Sequence, residues 1–439
     1  MIGSEEYKTS YCTEKVDKWT EELELLAEFA ETQPQAAHAV YTKGYRSKFT
    51  FFLRTIEGME EHLHPVESVL GNKLIPAMFG GDHPDVPDEL LALNPKDGGL
   101  GIESPLSIAT DQYSASKFKT QIHTETIINQ ECVMRDEASN GKSSKEISEQ
   151  DRQERIARRK QRVEQIEIPD HLKQWVEQAK DEGASSWLNT LPIREQQLDL
   201  NKGQFVDAVR LRYNQPLKNL PSHCPCGSKF NVEHALNCKK GGFVAQRHDQ
   251  LRDMFTNLLG RVCKDVEAEP RLLPVTQETF NFKSANRGDE SRLDIKAGGF
   301  WQRSQTAFFD IRVTHVNSSS QTGKATSTIF RAHEMEKKRE YLQRVLDIEH
   351  GAFTPLVFGT NGGMGQECKI FIKHLATTLA EKTDEKYSDV ITWLRTKTSI
   401  MILKSAIMCV RGSRVPFRKT DPVTDDFQLA NLVARNTER

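Results

Sequence analysis

Fifteen residues near the middle of the chain constrain its fold more than any other segment. From Cys224 to Cys238 the sequence reads C-x-C-x7-H-x3-C, which spaces four metal-ligating side chains closely. Zinc takes four such ligands at about 2.0–2.3 Å, and a Cys-Pro-Cys-Gly bend presents two sulfurs together. His234 precedes Cys238 by one helical turn, so both side chains share a face. We predict a zinc knuckle with Cys224, Cys226, His234 and Cys238 as ligands and His223 as the alternative ligand.

The composition bounds the class of protein. The chain has 439 residues, enough for two or three domains, and is 37% hydrophobic and 28% charged, as in soluble globular proteins. A net charge of -2 means that any nucleic-acid-binding surface must be local. The other five cysteines have no disulfide spacing, and the N-terminus lacks an apolar signal core. These features favour the nucleus or cytoplasm over secretion. The apolar run 399–410 is too short to span a bilayer, so no membrane partner is expected.

Two aspartates stand in apolar, β-prone runs downstream of the knuckle. Asp294 lies in Arg-Leu-Asp-Ile and Asp310 in Phe-Phe-Asp-Ile-Arg-Val, with Gly298-Gly299 between them. A lone aspartate is unfavourable inside a strand, and a hairpin through the glycines would bring both carboxylates to one end of a sheet. Such a pair binds Mg²⁺, which supports phosphodiester hydrolysis. The alternative is that either aspartate faces solvent at a strand end.

A basic helix is predicted after these strands, from 328 to 349. Lys338 and Tyr341 are three residues apart and share a face, and Lys337 extends the positive charge. The lysines are candidates for orienting water or contacting nucleic acid. The alternative is a solvated basic helix without a ligand.

Three further residues are weaker candidates. Arg247 and His248 open the helix that follows the knuckle, where they could meet a phosphate, although a lone histidine there is more often structural. Glu269 is a candidate third catalytic carboxylate because it lies just after that helix.

In chain order, the knuckle, Arg-His, the two aspartates and Lys-x-x-Tyr resemble the restriction-like endonuclease of site-specific non-LTR retrotransposons. That domain is similar to the PD-(D/E)XK nucleases, in which helices flank a central mixed sheet and Mg²⁺ supports DNA cleavage. The resemblance implies that Asp294 and Asp310 bind Mg²⁺ and that Lys338 and Tyr341 are catalytic. It also implies a DNA target and, as a second partner, element RNA.

The first half resembles the helical region that follows the palm of such reverse transcriptases, notably at residues 74–77 and 98–102. Two departures from the family pattern matter. The only Asp-Asp pair is Asp425-Asp426, near the C-terminus, so no polymerase activity is expected of this chain alone. Arg312 replaces the lysine of Asp-x-Lys, which leaves the lysine role to Lys338 and makes Arg312 a candidate nucleic-acid contact.

The sequence therefore predicts an α+β protein, the C-terminal part of a retrotransposon polyprotein. The predicted regions are a helical thumb-like region at 1–134, a charged linker at 135–183, a helical connector with the zinc knuckle at 184–242, an α/β restriction-endonuclease-like domain with a central mixed sheet at 243–415, and a flexible tail at 416–439. The predicted function is Mg²⁺-dependent nicking of DNA. The alternatives are a catalytically inactive nucleic-acid-binding relic of a reverse transcriptase and a structural scaffold.

Overall fold

The computed structural model describes residues 4–130, 163–274 and 292–414, with positions 153, 157 and 161. The predicted tail at 416–439, with Asp425-Asp426, lies outside the described residues, as does most of 135–162. Helices and one four-stranded mixed sheet confirm the α+β class.

Helices alone form the N-terminal part of the chain. The first helix buries Val16, Trp19 and Leu23, which share one helical face, and Pro34 is the first residue of the second helix, where its missing N–H costs little. The helices are α1 (Glu5–Thr32), α2 (Pro34–Val40), α3 (Arg46–Thr55), α4 (His64–Val69), α5 (Ile75–Met78), α6 (Asp88–Ala92) and α7 (Pro105–Ile128), with π-helical segments at Tyr41–Tyr45 and Leu70–Leu74.

The glycine-rich loop at 96–102 closes this helical core, and its glycines allow two backbone segments to approach closely. A Cβ added at Gly99 would lie 2.0 Å from the carbonyl oxygen of Leu93, so only glycine fits there. Helix α8 (Asp170–Ala179) packs beside the loop and buries Leu172 and Val176 in the N-terminal core. The described end of the predicted linker 135–183 is therefore part of that core.

The second half of the chain builds the sheet. Its strands are β1 (Lys264–Ala268), β2 (Ile295–Gly298), β3 (Thr306–Thr314) and β4 (Ala352–Gly359), in that spatial order. The remaining helices are α9 (Lys202–Arg212), α10 (Val232–Asn237), α11 (Phe243–Leu259), α12 (Thr326–Asp347), α13 (Gln366–Thr383) and α14 (Tyr387–Arg411). The first three precede the sheet in the chain. Helix α12 lies within two residues of the helix predicted at 328–349.

Strand pairing positions the two aspartates. Strands β2 and β3 form the predicted antiparallel hairpin, with Ile295 opposite Phe309, whereas β3 and β4 are parallel and joined through α12. Along β3, Phe309 packs with α11 and α13 on one face of the sheet. Phe308 packs against Val345 of α12, on the other face. Because side chains alternate along a strand, Asp310 points to the same side as Phe308.

Helix α14 joins the two halves of the molecule. Its residues enter three hydrophobic clusters: Ile400 packs into the N-terminal core, Ile402 into the core beside the sheet, and Cys409 against the knuckle. A helix that is apolar over much of its circumference is typically buried among several elements. The knuckle and the sheet are thereby held on one rigid element.

Candidate functional site

A tight turn presents the first two cysteines of the knuckle. The backbone N–H of Cys224 donates to the Ser228 carbonyl at 2.9 Å, and that of Gly227 donates to the Cys224 carbonyl at 2.8 Å. Gly227 has a φ of 93°, a left-handed conformation that glycine adopts without steric cost. The bend turns the thiol groups of Cys224 and Cys226 toward helix α10.

Helix α10 supplies the other two ligands. Asn231 caps the helix by accepting a hydrogen bond from the His234 N–H at 2.7 Å, and Cys238 follows one turn later. The sulfurs of Cys224 and Cys238 lie 3.8 Å apart, and Cys226 Sγ lies 3.3 Å from His234 Nε2. A tetrahedron with metal–sulfur bonds of about 2.3 Å has an edge of about 3.8 Å.

All four ligand atoms lie within 4.8 Å of one another, so these residues are arranged to hold a metal ion such as zinc. Hydrogen bonds from Ser228 lower the pKa of the Cys226 thiol to about 6, which favours the thiolate that a metal requires. Burial raises the pKa of Cys224. The ring of His223 lies 3.2 Å from the Ser222 hydroxyl and is not part of the cluster.

The carboxylate site begins at the hairpin. Asp294 immediately precedes β2, and its Oδ2 accepts hydrogen bonds from the Ile311 N–H at 2.5 Å and from His248 Nε2 at 3.0 Å. Asp310, in the middle of β3, is only 6% exposed. Lys337 Nζ lies 3.0 Å from Asp310 Oδ2. This contact is an ion pair rather than an aligned hydrogen bond, because Oδ2 has no hydrogen-bond partner of good geometry.

The charges in this site are strongly coupled. Burial, followed by the nearby charge of Asp294, raises the pKa of Asp310 to about 6, although Lys337 opposes the shift. The hydrogen bond to Asp294 raises the pKa of His248. Burial disfavours the charged form of Lys337, but Asp310 outweighs it, so the pKa of Lys337 is raised. The site therefore holds a buried carboxyl group with a raised pKa beside Lys337 and His248, whose pKa values are also raised.

The lysine at Asp310 is Lys337, whereas Lys338 points elsewhere. Lys338 Nζ lies 2.5 Å from Glu367 Oε1, at the start of α13. The Lys337 ammonium group instead lies 5.4 Å from the centre of the Tyr341 ring. Lys337 and Tyr341 are four residues apart on α12, so they share the face that meets β3. The catalytic position expected for Lys338 is thus occupied by its neighbour.

Three other residues that the sequence predicts to be catalytic or to bind nucleic acid make structural contacts instead. Arg247 is 3% exposed and donates to the Leu236 carbonyl at 3.2 Å, so it supports the knuckle and cannot meet a phosphate. Arg312 pairs with Glu336 at 2.9 Å rather than facing Asp310.

The Glu269 backbone N–H donates to the Asp294 carbonyl at 2.9 Å, which places this residue beside the hairpin. Its carboxylate pairs with Arg252 and, at 3.5 Å, with Arg292. In the described part of the chain, the knuckle is the only set of three or more His, Cys, Asp and Glu side chains close enough to share one ion. Glu269 therefore does not complete a carboxylate trio with Asp294 and Asp310.

Glu340 was not singled out from the sequence, yet it belongs to this site. Its carboxylate lies 3.7 Å from Lys337 Nζ, and its charge contributes to raising the pKa of Asp310. The signal was present in the spacing, because Glu340 is three residues from Lys337 on the same helix.

No protein-family model matches the chain, and no curated protein matches its sequence. Within the part of the chain that the structure describes, every helix is too short or too polar to cross a membrane. The fold and the two clusters define an α+β protein with a Cys₃His cluster that could hold a metal ion and a separate pair of carboxylates.

Proposed function

We propose that this protein is a Mg²⁺-dependent DNA endonuclease, derived from a retroelement, with a zinc knuckle and without polymerase activity of its own. One observation carries the proposal. Asp294, immediately before β2, and Asp310, within β3, belong to one hairpin, and His248 and Lys337 reach them from two different helices. A buried carboxyl group with a raised pKa, approached by cationic side chains in this way, is typical of catalytic sites.

The carboxylate pair suits a hard divalent cation. Asp310 Oδ2 is buried and lacks a hydrogen bond of good geometry, and both residues offer the oxygen ligands that Mg²⁺ prefers. Asp294 and Asp310 would hold the ion. When bound, Mg²⁺ would polarise the phosphate and lower the pKa of a water molecule.

The protein groups around the carboxylates have distinct roles in this proposal. The Ile311 N–H and the His248 ring fix the orientation of Asp294. Lys337 neutralises Asp310, and its side chain is partly exposed, so its positive charge would be offered to a phosphate oxygen. His248, with its raised pKa, is charged over a wider pH range than an ordinary histidine and presents a second cation.

The knuckle has a structural role in the same proposal. Four protein ligands saturate tetrahedral zinc, which leaves no position for a substrate. Cys224 and Cys238 pack against Cys409 of α14, and Arg247 joins the knuckle to α11, which carries His248. Zinc would thereby stabilise the junction between the knuckle and the carboxylate site.

The element order adds support. Helix α11, the antiparallel strands β1 to β3, helix α12 and the parallel strand β4 give a mixed sheet between helices, as the resemblance to restriction-like endonucleases leads one to expect. The retroelement origin, and RNA as a second partner, rest on that resemblance alone.

Nicking of supercoiled plasmid DNA in Mg²⁺ tests the proposal. We expect Asp310→Asn to lower the nicking rate by at least about 100-fold, because it removes a metal-binding charge. Asp265→Asn is the matched control: Asp265 is exposed on β1 of the same sheet, and asparagine tolerates its φ of 48°. Equal activity of the Asp310→Asn and wild-type proteins overturns the assignment. DNA binding without nicking by either protein would favour the nucleic-acid-binding relic.

A further inference from the structure

Helix α14 carries a row of basic residues on the side away from the knuckle. Lys397, Lys404 and Arg411 follow one another at seven-residue steps. Two helical turns bring each nearly into line with the last, and the row spans about 21 Å at 1.5 Å per residue. That length matches roughly six nucleotide steps along one strand of duplex DNA, at 3.4 Å each.

Cations from other elements flank this row. Lys202, at the start of α9, and Lys218 line an open groove of about 570 Å³ together with Lys404 and Arg411. Arg261 adds a further positive charge beside Lys397. We call these six residues the basic face: Lys202, Lys218, Arg261, Lys397, Lys404 and Arg411.

The basic face carries more positive charge than the acids near it neutralise. Its ion-pair partners are Asp207 on Arg411, Asp82 on Lys218, and Asp199, which lies 3.8 Å from Lys404. No acid in the described parts of the chain lies within ion-pair distance of Lys202, Arg261 or Lys397. Six cations therefore face three acids.

Backbone carbonyl groups hold Lys397 and Lys404, the two lysines of the row, in place. Lys397 Nζ donates to the Gln196 carbonyl at 3.3 Å, and Lys404 Nζ donates to the Gln197 carbonyl at 3.1 Å. Burial, Arg261 and Lys404 all lower the pKa of Lys397, as expected where like charges are held together. A fixed row of excess positive charge attracts a polyanion of matching spacing.

We propose that the basic face binds the sugar–phosphate backbone of duplex DNA, as a second contact outside the carboxylate site. The partner rests on the proposed nuclease function, whereas the surface itself rests on the spacing and charge of these residues. Backbone contacts of this kind position DNA without reading its sequence. The basic face and the knuckle lie on different sides of α14, so DNA held there contacts the helix that also supports the knuckle.

Fluorescence anisotropy with a short labelled DNA duplex, in buffer without Mg²⁺, measures this contact separately from cleavage. We expect Lys397→Glu/Lys404→Glu to weaken binding about tenfold or more and to reduce the slope of log K against log salt by about 1.8, at 0.9 per phosphate contact. The matched control is Lys8→Glu/Lys15→Glu, two lysines seven residues apart on α1. We expect the control to bind as the wild type does.

Charge reversal disturbs the two carbonyl contacts, so Lys202→Gln serves as a second variant. Lys202 is exposed, and its replacement should reduce the salt slope by about 0.9 with no change in melting temperature. Unchanged affinity and slope in both variants, or equal losses in the α1 control, would overturn the basic face. Binding through the basic face by a protein that never nicks plasmid would support this inference and overturn the nuclease.

Discussion

The knuckle and the carboxylate site are both candidate metal centres, yet they are assembled in opposite ways. The knuckle takes its ligands from fifteen consecutive residues, within one turn and one short helix. The carboxylate site takes His248 from α11, Asp310 from β3, Lys337 from α12 and Asp294 from the residue before β2. Local spacing alone determines which atoms meet in the first case, whereas the second depends on how strands and helices pack.

The two adjacent lysines show this difference most clearly. Lys337 and Lys338 are four and three residues from Tyr341, and both spacings share a helical face. Helix spacing therefore cannot choose between them. The packing of α12 on β3 makes the choice, because Arg312 meets Glu336 while Asp310 meets Lys337. Predictions that disturb one site and leave the other intact test whether the two centres are independent.

The largest expected effect is on the knuckle. Cys238→Ser should abolish stoichiometric zinc binding and lower the melting temperature sharply, because structural zinc supplies about 10–16 kcal/mol of binding free energy in zinc-finger peptides. Elemental analysis and thermal unfolding measure both. His223→Ala is the control, since that ring lies outside the cluster. Full zinc retention in Cys238→Ser would contradict the ligand set, and zinc loss in His223→Ala would revise it.

The next largest effect separates the two lysines. Lys337→Met should slow plasmid nicking by about 100-fold, the usual cost of removing one charge-stabilising group from a catalytic site. Lys338→Met breaks only a partly exposed ion pair with Glu367, so its nicking rate should stay within about threefold of the wild type. The reverse ranking would restore the role that the resemblance gave to Lys338.

A smaller effect is a pH dependence of stability in the metal-free protein. The pKa of Asp310 is raised to about 6 in the folded state, against about 3.9 in an unfolded chain. The unfolded state therefore releases this proton at lower pH, and stability falls as the pH rises from about 4 through about 6. The Asp310→Asn protein has no carboxyl group at this position, so it does not show this loss of stability. We expect its stability relative to the wild type to increase by on the order of 2–3 kcal/mol between pH 4 and pH 7.

Urea titrations at the two pH values measure this change, with Asp265→Asn as the control because Asp265 is exposed on the same sheet. A difference between wild type and Asp310→Asn that does not vary with pH would show that Asp310 is not buried as described.

The smallest effect concerns Tyr341. Its ring packs against Phe353 at 5.9 Å and lies beside the Lys337 ammonium group. Tyr341→Phe keeps both contacts, so nicking should change by less than about threefold and stability by less than about 1 kcal/mol. Nicking assays with Tyr341→Leu then show what loss of the aromatic ring costs. A large loss of activity in Tyr341→Phe would make the hydroxyl group catalytic.

Much of the fold could be predicted because the signals were local. The helix predicted at 328–349 corresponds to α12, and Gly298-Gly299 predicted the β2–β3 hairpin. The four knuckle residues came together because a turn and a helix cap hold them close.

The rest depended on long-range packing. The sequence suggests that Arg247 is a surface cation. In the structure it is buried, and the Leu236 carbonyl accepts its hydrogen bond. The charge-rich sequence before residue 184 predicts a linker. Leu172 and Val176, two apolar residues one helical turn apart in that segment, are nevertheless buried in the N-terminal core. The spacing of Glu340 places it beside Lys337, but that spacing does not show that both residues lie near Asp310. These features depend on which element packs against each helix face, and the spacing of residues along the chain does not contain that information.

Anomalous diffraction from crystals of the zinc-containing protein soaked in MnCl₂ tests the central claim most directly. Manganese shares the preference of magnesium for oxygen ligands, whereas thiolates select zinc. We predict a zinc peak among Cys224, Cys226, His234 and Cys238, and a separate manganese peak in contact with Asp294 and Asp310. A zinc peak in the knuckle with no manganese at the carboxylates would contradict the account of a metal-dependent nuclease.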